Sequence, residues 1–291
     1  MTGTALVTGA TGFIGGALTR RLLADGWTVH VLLRPYSLLD IEHAALTAHR
    51  LESPSELGPL LKAIRPDCVF HLASLFLAEH QPSQIDALIE SNVTLGAHLA
   101  EAATAAGVAA FINTGTAWQH FDRAPYEPTN LYAATKQAFE DILQFYHAAH
   151  GLPCVTLRLY DTYGAGDKRR KLMQILIDTA RSGDPIGMSP GDQIVDLTHV
   201  NDIVEAFLLA AERARTGDTP RWETFLLSGE RHTVKALVAL VADALDTPIA
   251  AEFGGRPYRP REVMDPIETE TPLPGWHRKM DIRTYLRRTR G

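Results

Sequence analysis

Apolar and polar positions along the chain follow two rhythms. Short apolar runs of strand length occur at 4–8, 28–33, 67–72, 108–114 and 153–159, with a weaker one near 47–51. Between them the apolar spacing lengthens to three and four over 13–25, 55–64, 84–106 and 130–149. In the third of these stretches Ile85, Leu88, Ile89, Leu95 and Leu99 roughly keep one helical face. Repeated strand–helix units predict a parallel sheet covered on both sides, hence an α/β, doubly wound fold. After Gly164 the rhythm loosens and Pro and Gly become denser. Helices are predicted over 168–181, 201–214 and 233–246, separated by loops such as 188–192. The organisation expected is a main domain over 1–165 and a smaller C-terminal α/β substrate lobe over 166–291. Residues 195–230, which include the strand-like run 223–228, are expected to return partly to the main sheet.

Composition sets outer limits. A chain of 291 residues can bury a full core and is long enough for one large domain or two lobes. A net charge of −6, with no basic stripe before the tail from Arg283 to Arg290, argues against nucleic acid as a partner. That tail reads as a solvated terminal helix face or a surface of the substrate lobe. No apolar run approaches membrane-spanning length, so no membrane association is expected. The two cysteines, Cys68 and Cys154, each lie inside an apolar strand-like run and read as buried reduced thiols. With the first strand starting at Thr4, no leader is expected, and the compartment expected is the cytoplasm. The sequon Asn92-Val93-Thr94 is then accidental, and no metal site is expected.

The strand Thr4–Thr8 runs directly into Gly9-Ala10-Thr11-Gly12-Phe13-Ile14-Gly15, with glycines at spacing three and three before a helix. Such a turn brings bare backbone up to a diphosphate, with the helix's free N–H groups and positive dipole end facing it. Further along, Tyr132-Ala133-Ala134-Thr135-Lys136 sets a phenol and an ammonium one helical turn apart. A free tyrosine titrates near ~10, and a neighbouring positive charge favours its phenolate, which suits acid–base work. Thr114-Gly115-Thr116 ends a strand, where hydroxyls lie outside the carboxyl edge of the sheet. A hydroxyl there can hydrogen-bond the oxygen that Tyr132 protonates.

Together these segments resemble an extended short-chain dehydrogenase/reductase of the NAD-dependent epimerase/dehydratase family. The resemblance rests on TGATGFIG at 8–15, VFHLAS at 69–74, Asn92, TGT at 114–116, YAATK at 132–136, RLYDTYG at 158–164 and DLTHVNDIVEA at 196–206. It implies a Rossmann domain with a small sugar-nucleotide lobe. Tyr132 would be the catalytic acid/base, Lys136 would hold the nicotinamide ribose and depress the tyrosine pKa, and Thr116 would take the place of the catalytic Ser or Thr. Gly9, Thr11, Gly12, Phe13, Ile14, Gly15, Leu72, Ala73, Asn92 and Thr114 would line the cofactor. Ser74, Trp118, Asp161, Tyr163 and Lys171 would face the sugar nucleotide, and Arg256, Arg259, Arg261 and Lys171 would offer cations to its diphosphate. Two departures stand out: Asp161 where many relatives carry Asn, and Trp118-Gln119 in place of Tyr-Gly. Proteins of this kind often dimerise through two helices per subunit, here those near 84–106 and 130–149, so a homodimer is expected.

Arg34, at the end of the second strand, stands where NAD-preferring relatives carry an acidic residue. A guanidinium there suits a 2′-phosphate and favours NADP(H) over NAD(H). Thr116 is followed by Ala117-Trp118-Gln119-His120, without the acidic pair that dehydratases of the family carry. The segments RLYDTYGAGDKRRKL and MSPGDQIVDL further resemble CDP- and dTDP-linked deoxyhexulose 4-reductases. The favoured reading is an NADPH-dependent nucleotide-sugar 4-ketoreductase of deoxysugar biosynthesis. The alternatives are a nucleotide-sugar 4-epimerase with tightly bound NAD and a non-catalytic cofactor-sensing protein. Retention of both Tyr132 and Lys136 speaks against the last.

Overall fold

The computed structural model describes residues 2–216, 221–268 and 272–289. Its centre is a sheet of seven parallel strands: β1 (Thr4–Thr8), β2 (Thr28–Leu33), β3 (Leu46–Arg50), β4 (Cys68–His71), β5 (Ala110–Thr116), β6 (Cys154–Leu159) and one later strand, Trp222–Leu227. Within the first half, α1 (Phe13–Ala24), α2 (Leu57–Ile64), α3 (Ile85–Ile89), α4 (Leu95–Ala106) and α5 (Leu131–His150) connect the strands. Then follow β7 (Asp161–Tyr163), α6 (Leu172–Ser182), β8 (Ile186–Met188), β9 (Ile194–His199), α7 (Val200–Arg215), β10 (the strand Trp222–Leu227), β11 (Glu230–Thr233), α8 (Val234–Leu245), β12 (Ala251–Phe253) and α9 (Ile282–Thr289).

The apolar runs are continuous because both faces of the sheet are covered. Ala5, Val7, Cys68, Phe70, Ala110, Ile112, Val155 and Leu157 point to one face, against α1 and α7. The alternate positions Leu6, Val69, Phe111 and Cys154 point to the other, against α2, α4 and α5. Strand order is β10-β6-β5-β4-β1-β2-β3. The chain therefore leaves β1 in one direction, through β2 and β3, and returns to β4 on its other side. A crevice opens at this switch point, outside the carboxyl ends of β1 and β4, where open α/β sheets bind ligands.

The rest of the chain builds a smaller layer over that edge. β11-β9-β7 form a three-stranded sheet and β12-β8 a two-stranded one. With α6, α8 and α9 they enclose a separate core around Met173, Leu176, Leu237, Val241 and Leu286. Meanwhile α7 packs on α1, β5 and β6, and β10 pairs with β6, so both belong to the main sheet. Trp276 donates its indole N–H to the Asp202 carbonyl at 2.7 Å and packs on the main core. The basic tail is amphipathic: Ile282, Tyr285 and Leu286 of α9 are buried beneath its arginines. Arg290 lies outside the described residues.

Two predicted helices differ from those observed. The stretch 84–106 is interrupted by a π-turn at Glu90–Thr94, between α3 and α4. Buried Asn92 sits in that turn and spends both ends of its amide on the chain after β4: Oδ1 accepts from Leu75 N at 2.7 Å, and Nδ2 donates to Leu75 O at 3.0 Å. A widened turn lets this side chain reach across. The helix predicted from 168 begins only at Leu172, because Arg169 folds its N–H and guanidinium back onto Asp167.

Beneath β5, a buried polar network ties α5 to β6. Glu140 pairs with Arg158 at 2.5 Å, and the Gln119 amide donates to Gln137 at 2.8 Å and to Glu140 at 3.1 Å. Arg158 also reaches His120 Nε2 at 2.8 Å, while His120 Nδ1 faces the Ala124 carbonyl at 3.0 Å. Gly115 makes the room, since a Cβ there would come within 2.6 Å of the Glu140 carboxylate. Cys68 and Cys154 are free and buried, and burial pushes both thiols up. Among the described residues no helix is long and apolar enough to cross a membrane.

Two consequences are open to equilibrium unfolding in denaturant. Glu140→Gln, which leaves the Arg158 charge buried without a counter-ion, is expected to destabilise the fold by about 3 kcal/mol. Gly15→Ala, whose Cβ would lie 2.2 Å from the Gly9 carbonyl oxygen, is expected to cost about 1–3 kcal/mol through forced displacement of the first turn. An unchanged midpoint and slope for either would show that the backbone relaxes there without strain.

Candidate active site

A cleft of about 260 Å³ opens at the switch point, and the carboxyl ends of four sheet strands contribute to its wall. At one end lie Gly9, Gly12, Phe13, Ile14 and Gly15. Gly9 turns the chain at φ +74°, a conformation that favours glycine. Its Cα packs on the backbone after β4, where a Cβ would sit 2.7 Å from both the Leu72 carbonyl carbon and the Ala73 nitrogen. Gly12 N donates to Gly9 O at 2.9 Å and caps α1 without a side-chain hydrogen bond. The amide end of α1 is thus bare and lines the cleft, a cradle that a larger residue would fill. These features fit the diphosphate of a dinucleotide.

Thr8 secures the opposite side of that cradle. Its hydroxyl oxygen accepts from Leu72 N at 3.1 Å and Ala73 N at 3.0 Å, and it hydrogen-bonds His71 Nδ1 at 2.9 Å. His71 is completely buried against Phe111 and Phe139. Burial, with Lys136 nearby, pushes its pKa down to about 3, so the imidazole is a neutral packing element. Thr114 lines the cleft and donates its hydroxyl to the His71 carbonyl at 2.9 Å, tying β5 to β4.

The reacting wall is set by the start of α5 and the end of β5. Asn130 caps the helix, accepting from Ala133 N at 2.9 Å, and anchors itself to the Ala78 carbonyl at 3.0 Å. The cap fixes where the helix begins, and Tyr132 and Lys136, one turn apart, both line the cleft. Thr116 lines it too; its oxygen accepts from Trp118 N at 3.3 Å, which leaves its O–H able to donate. Lys136 is 1% exposed. Burial lowers its pKa to about 8, and Glu140 one turn further on opposes that shift. Burial also pushes the Tyr132 phenol up to about 12, against the opposing pull of the Ser74 hydroxyl and the Arg169 guanidinium. Desolvation thus outweighs the nearby hydrogen bond and charge at this phenol.

The other end of the cleft is aromatic and cationic. Phe76 meets Tyr132 edge-on at 5.0 Å and Trp118 at 5.4 Å. Lys171 lies 4.2 Å from the Phe76 ring centre and pairs with Asp161 at 3.2 Å. Asp161 is the one carboxylate among the lining residues. Ser74, Trp118, Asp161 and Lys171 share this wall with Tyr160, Thr162 and Arg169.

Other predicted residues lie elsewhere. Tyr163 is a core residue, 2% exposed between His199 and Tyr285, which removes it from the sugar pocket. Asp161 and Tyr163 are two apart on β7, where alternation alone would give them one face; Tyr163 instead packs into the core of the smaller layer against His199 and Tyr285. Asn92 is consumed by the 74–75 loop and by Thr135, so it supports the cleft without lining it. Thr11 is exposed outside the lining, and Ala73 contributes only its backbone to the Thr8 anchor. Arg256 and Arg259 are exposed in the chain after β12, away from the cleft, and Arg261 pairs with Glu127 at 2.8 Å. Arg34 is exposed at the end of β2, with its carbonyl accepting from Arg50 at 3.1 Å.

Phe76 and Arg169 were not legible as site residues. Phe76 sits in an irregular segment without a motif, and Arg169 is one of four consecutive basic residues, 168–171, a short basic run that corrects the expectation of none before the tail and whose members read alike in one dimension.

With this geometry, the similarities to known proteins take on meaning. Residues 5–225 match the model of the NAD dependent epimerase/dehydratase family. A CDP-abequose synthase of Yersinia pseudotuberculosis is 26% identical over 97% of each chain. A UDP-glucose 4-epimerase of Mycolicibacterium smegmatis is 30% identical over 85% of this chain and 84% of its own. The fold is that of the Thermus thermophilus UDP-glucose 4-epimerase solved in complex with NAD, with a TM-score of 0.81, 24% identity and coverage of 98% and 96%. On the family match, which takes in the glycine turn, the Tyr–Lys pair and the strand that closes the sheet, this chain belongs to the NAD dependent epimerase/dehydratase family.

Proposed function

We propose that the protein reduces the 4-keto group of a CDP- or dTDP-linked deoxyhexose with NADPH. The observation that carries this reading is the reacting wall: Tyr132, Thr116 and Lys136 line one cleft whose single lining carboxylate, Asp161, is already paired with Lys171. A wall with one phenol, one hydroxyl and no free carboxylate suits protonation of a ketone oxygen better than the acid–base pair that elimination of water needs. The likeness to a CDP-abequose synthase along the whole chain supports the same reading.

Gly9, Gly12 and Gly15, the amide end of α1, Lys136 and Arg34 would hold the cofactor, whose reduced nicotinamide supplies the hydride. The phenol of Tyr132, protonated across the neutral range, donates its proton to the ketone oxygen as charge develops there. Thr116 donates a hydrogen bond to the same oxygen and orients it. Lys136 places a desolvated positive charge beside the wall, which favours the phenolate left behind. Phe76 covers Tyr132 and limits water there. The cytoplasm suits the two buried reduced thiols. Exposed Ile85, Ile89 and Phe145 on α3 and α5 support a homodimer across these helices.

A 4-epimerase with tightly held NAD is the second reading, favoured by the 30% identity to the mycobacterial enzyme. Fluorescence titration separates the two. Under the first reading NADPH binds at least about tenfold tighter than NADH, and Arg34→Asp abolishes the difference. Oxidised NAD carried through purification, with no preference for the phosphorylated cofactor, would establish the epimerase instead.

Tyr132→Phe is expected to lower kcat by about 10²–10⁴ while dinucleotide affinity stays within about twofold. Single-turnover measurements would expose a different proton donor if the rate held. The reductive rate is expected to be flat near neutrality and to fall above pH 8, where Lys136 with its lowered pKa of about 8 loses its charge. Lys136→Arg, which cannot deprotonate in that range, should remove the alkaline limb at a reduced rate.

A further inference from the structure

On the proposed function, the cleft must accommodate two diphosphates, one from the dinucleotide and one from the sugar nucleotide. Its lining offers three cations: Lys136, Arg169 and Lys171. Lys136 stands at the reacting wall. Lys171 lies over Phe76, at the end that carries Trp118 and Asp161. Arg169, on the same wall, reaches further toward the glycine turn, with its guanidinium carbon 4.8 Å from the ring centre of Phe13. Phe13 is the first residue of α1 and follows the uncapped Gly12.

The guanidinium is held in place before any ligand arrives. Nε donates to Asp167 Oδ1 at 2.7 Å and Nη2 to Asp167 Oδ2 at 2.8 Å, and Nη2 also reaches the Thr162 carbonyl at 3.1 Å. The Asp167 side chain is only 5% exposed, and its Oδ1 also accepts from Arg169 N at 3.0 Å. One buried carboxylate thus sets both the backbone turn and the direction of the fork. Nη1 has no protein partner among the described residues and is the edge left for an acceptor. An arginine that served stability alone would not need to span from the chain between β7 and α6 to the mouth of α1.

We propose that Arg169 is a cofactor-binding residue that grips the dinucleotide diphosphate against the amide end of α1. Lys171, two residues on, serves the sugar nucleotide from the same segment.

Titrations of NADPH, NADH and CDP on the full chain and three variants test this. Arg169→Gln should weaken NADPH and NADH equally, by about tenfold, because both carry the diphosphate, and leave CDP within about twofold. Arg169→Lys, which keeps the charge and loses the fork, should fall between; Lys171→Gln should weaken CDP alone. A dinucleotide affinity unchanged in both Arg169 variants would overturn the proposal, as would a loss confined to CDP or to NADPH alone. Failure of the unaltered chain to bind either dinucleotide would instead strike the reading of the cleft as a cofactor site.

Discussion

The structure depends on a backbone contact that only glycine permits. At the carboxyl end of β1 the chain reverses through Gly9 and lies directly on the backbone of Leu72 and Ala73, while Gly15 returns over the Gly9 carbonyl. A side chain at any of these close approaches would push α1 off the sheet. The contact sets α1 so that its unpaired N–H groups open at the point where strand order reverses. Thr8 completes the lock from the strand itself, turning two amides of the β4 loop inward on one hydroxyl. The shape of this cradle is therefore a property of the main chain, set by packing.

Around that cradle, charge is rationed. Asp161 faces Lys171, Glu140 faces Arg158 and Asp167 faces Arg169, so the buried or half-buried carboxylates near the cleft have cationic partners. Lys136 stands apart, buried with Glu140 one turn away and without a direct ion pair among the described residues. The desolvation that lowers its pKa also strengthens its field, which acts where a phenolate would form. The same desolvation raises the pKa of the Tyr132 phenol. A single cause thus acts on a phenol and an ammonium one helical turn apart.

The smaller layer matters because it is continuous with the cleft. One residue, Tyr160, separates β6 of the main sheet from β7 of the small one, and the segment after β7 carries Arg169 and Lys171 back over the mouth of α1 and over Phe76. The return of α7 and β10 to the main sheet clamps this layer from behind. The segment that carries Arg169 and Lys171 is thereby anchored to the sheet that carries the glycine turn.

The sequence by itself determined the repeating strands and helices, the glycine turn, and the placing of Tyr132 and Lys136 on one helical turn. These follow from periods of 2.0 and 3.6 residues and from short-range backbone geometry, which one-dimensional spacing records. Tertiary structure decided which polar residues meet. Tyr163 and Asp161 are two apart in one motif, yet Asp161 lines the cleft while Tyr163 packs into the smaller layer's core against His199 and Tyr285. Asn92 left the site because its amide is spent on the chain after β4, and Arg169 entered it because Asp167 aims it across the cleft. The direction of the Tyr132 pKa likewise came from burial, which no spacing encodes: desolvation is a sum over everything packed around a group, and that sum exists only in the folded chain.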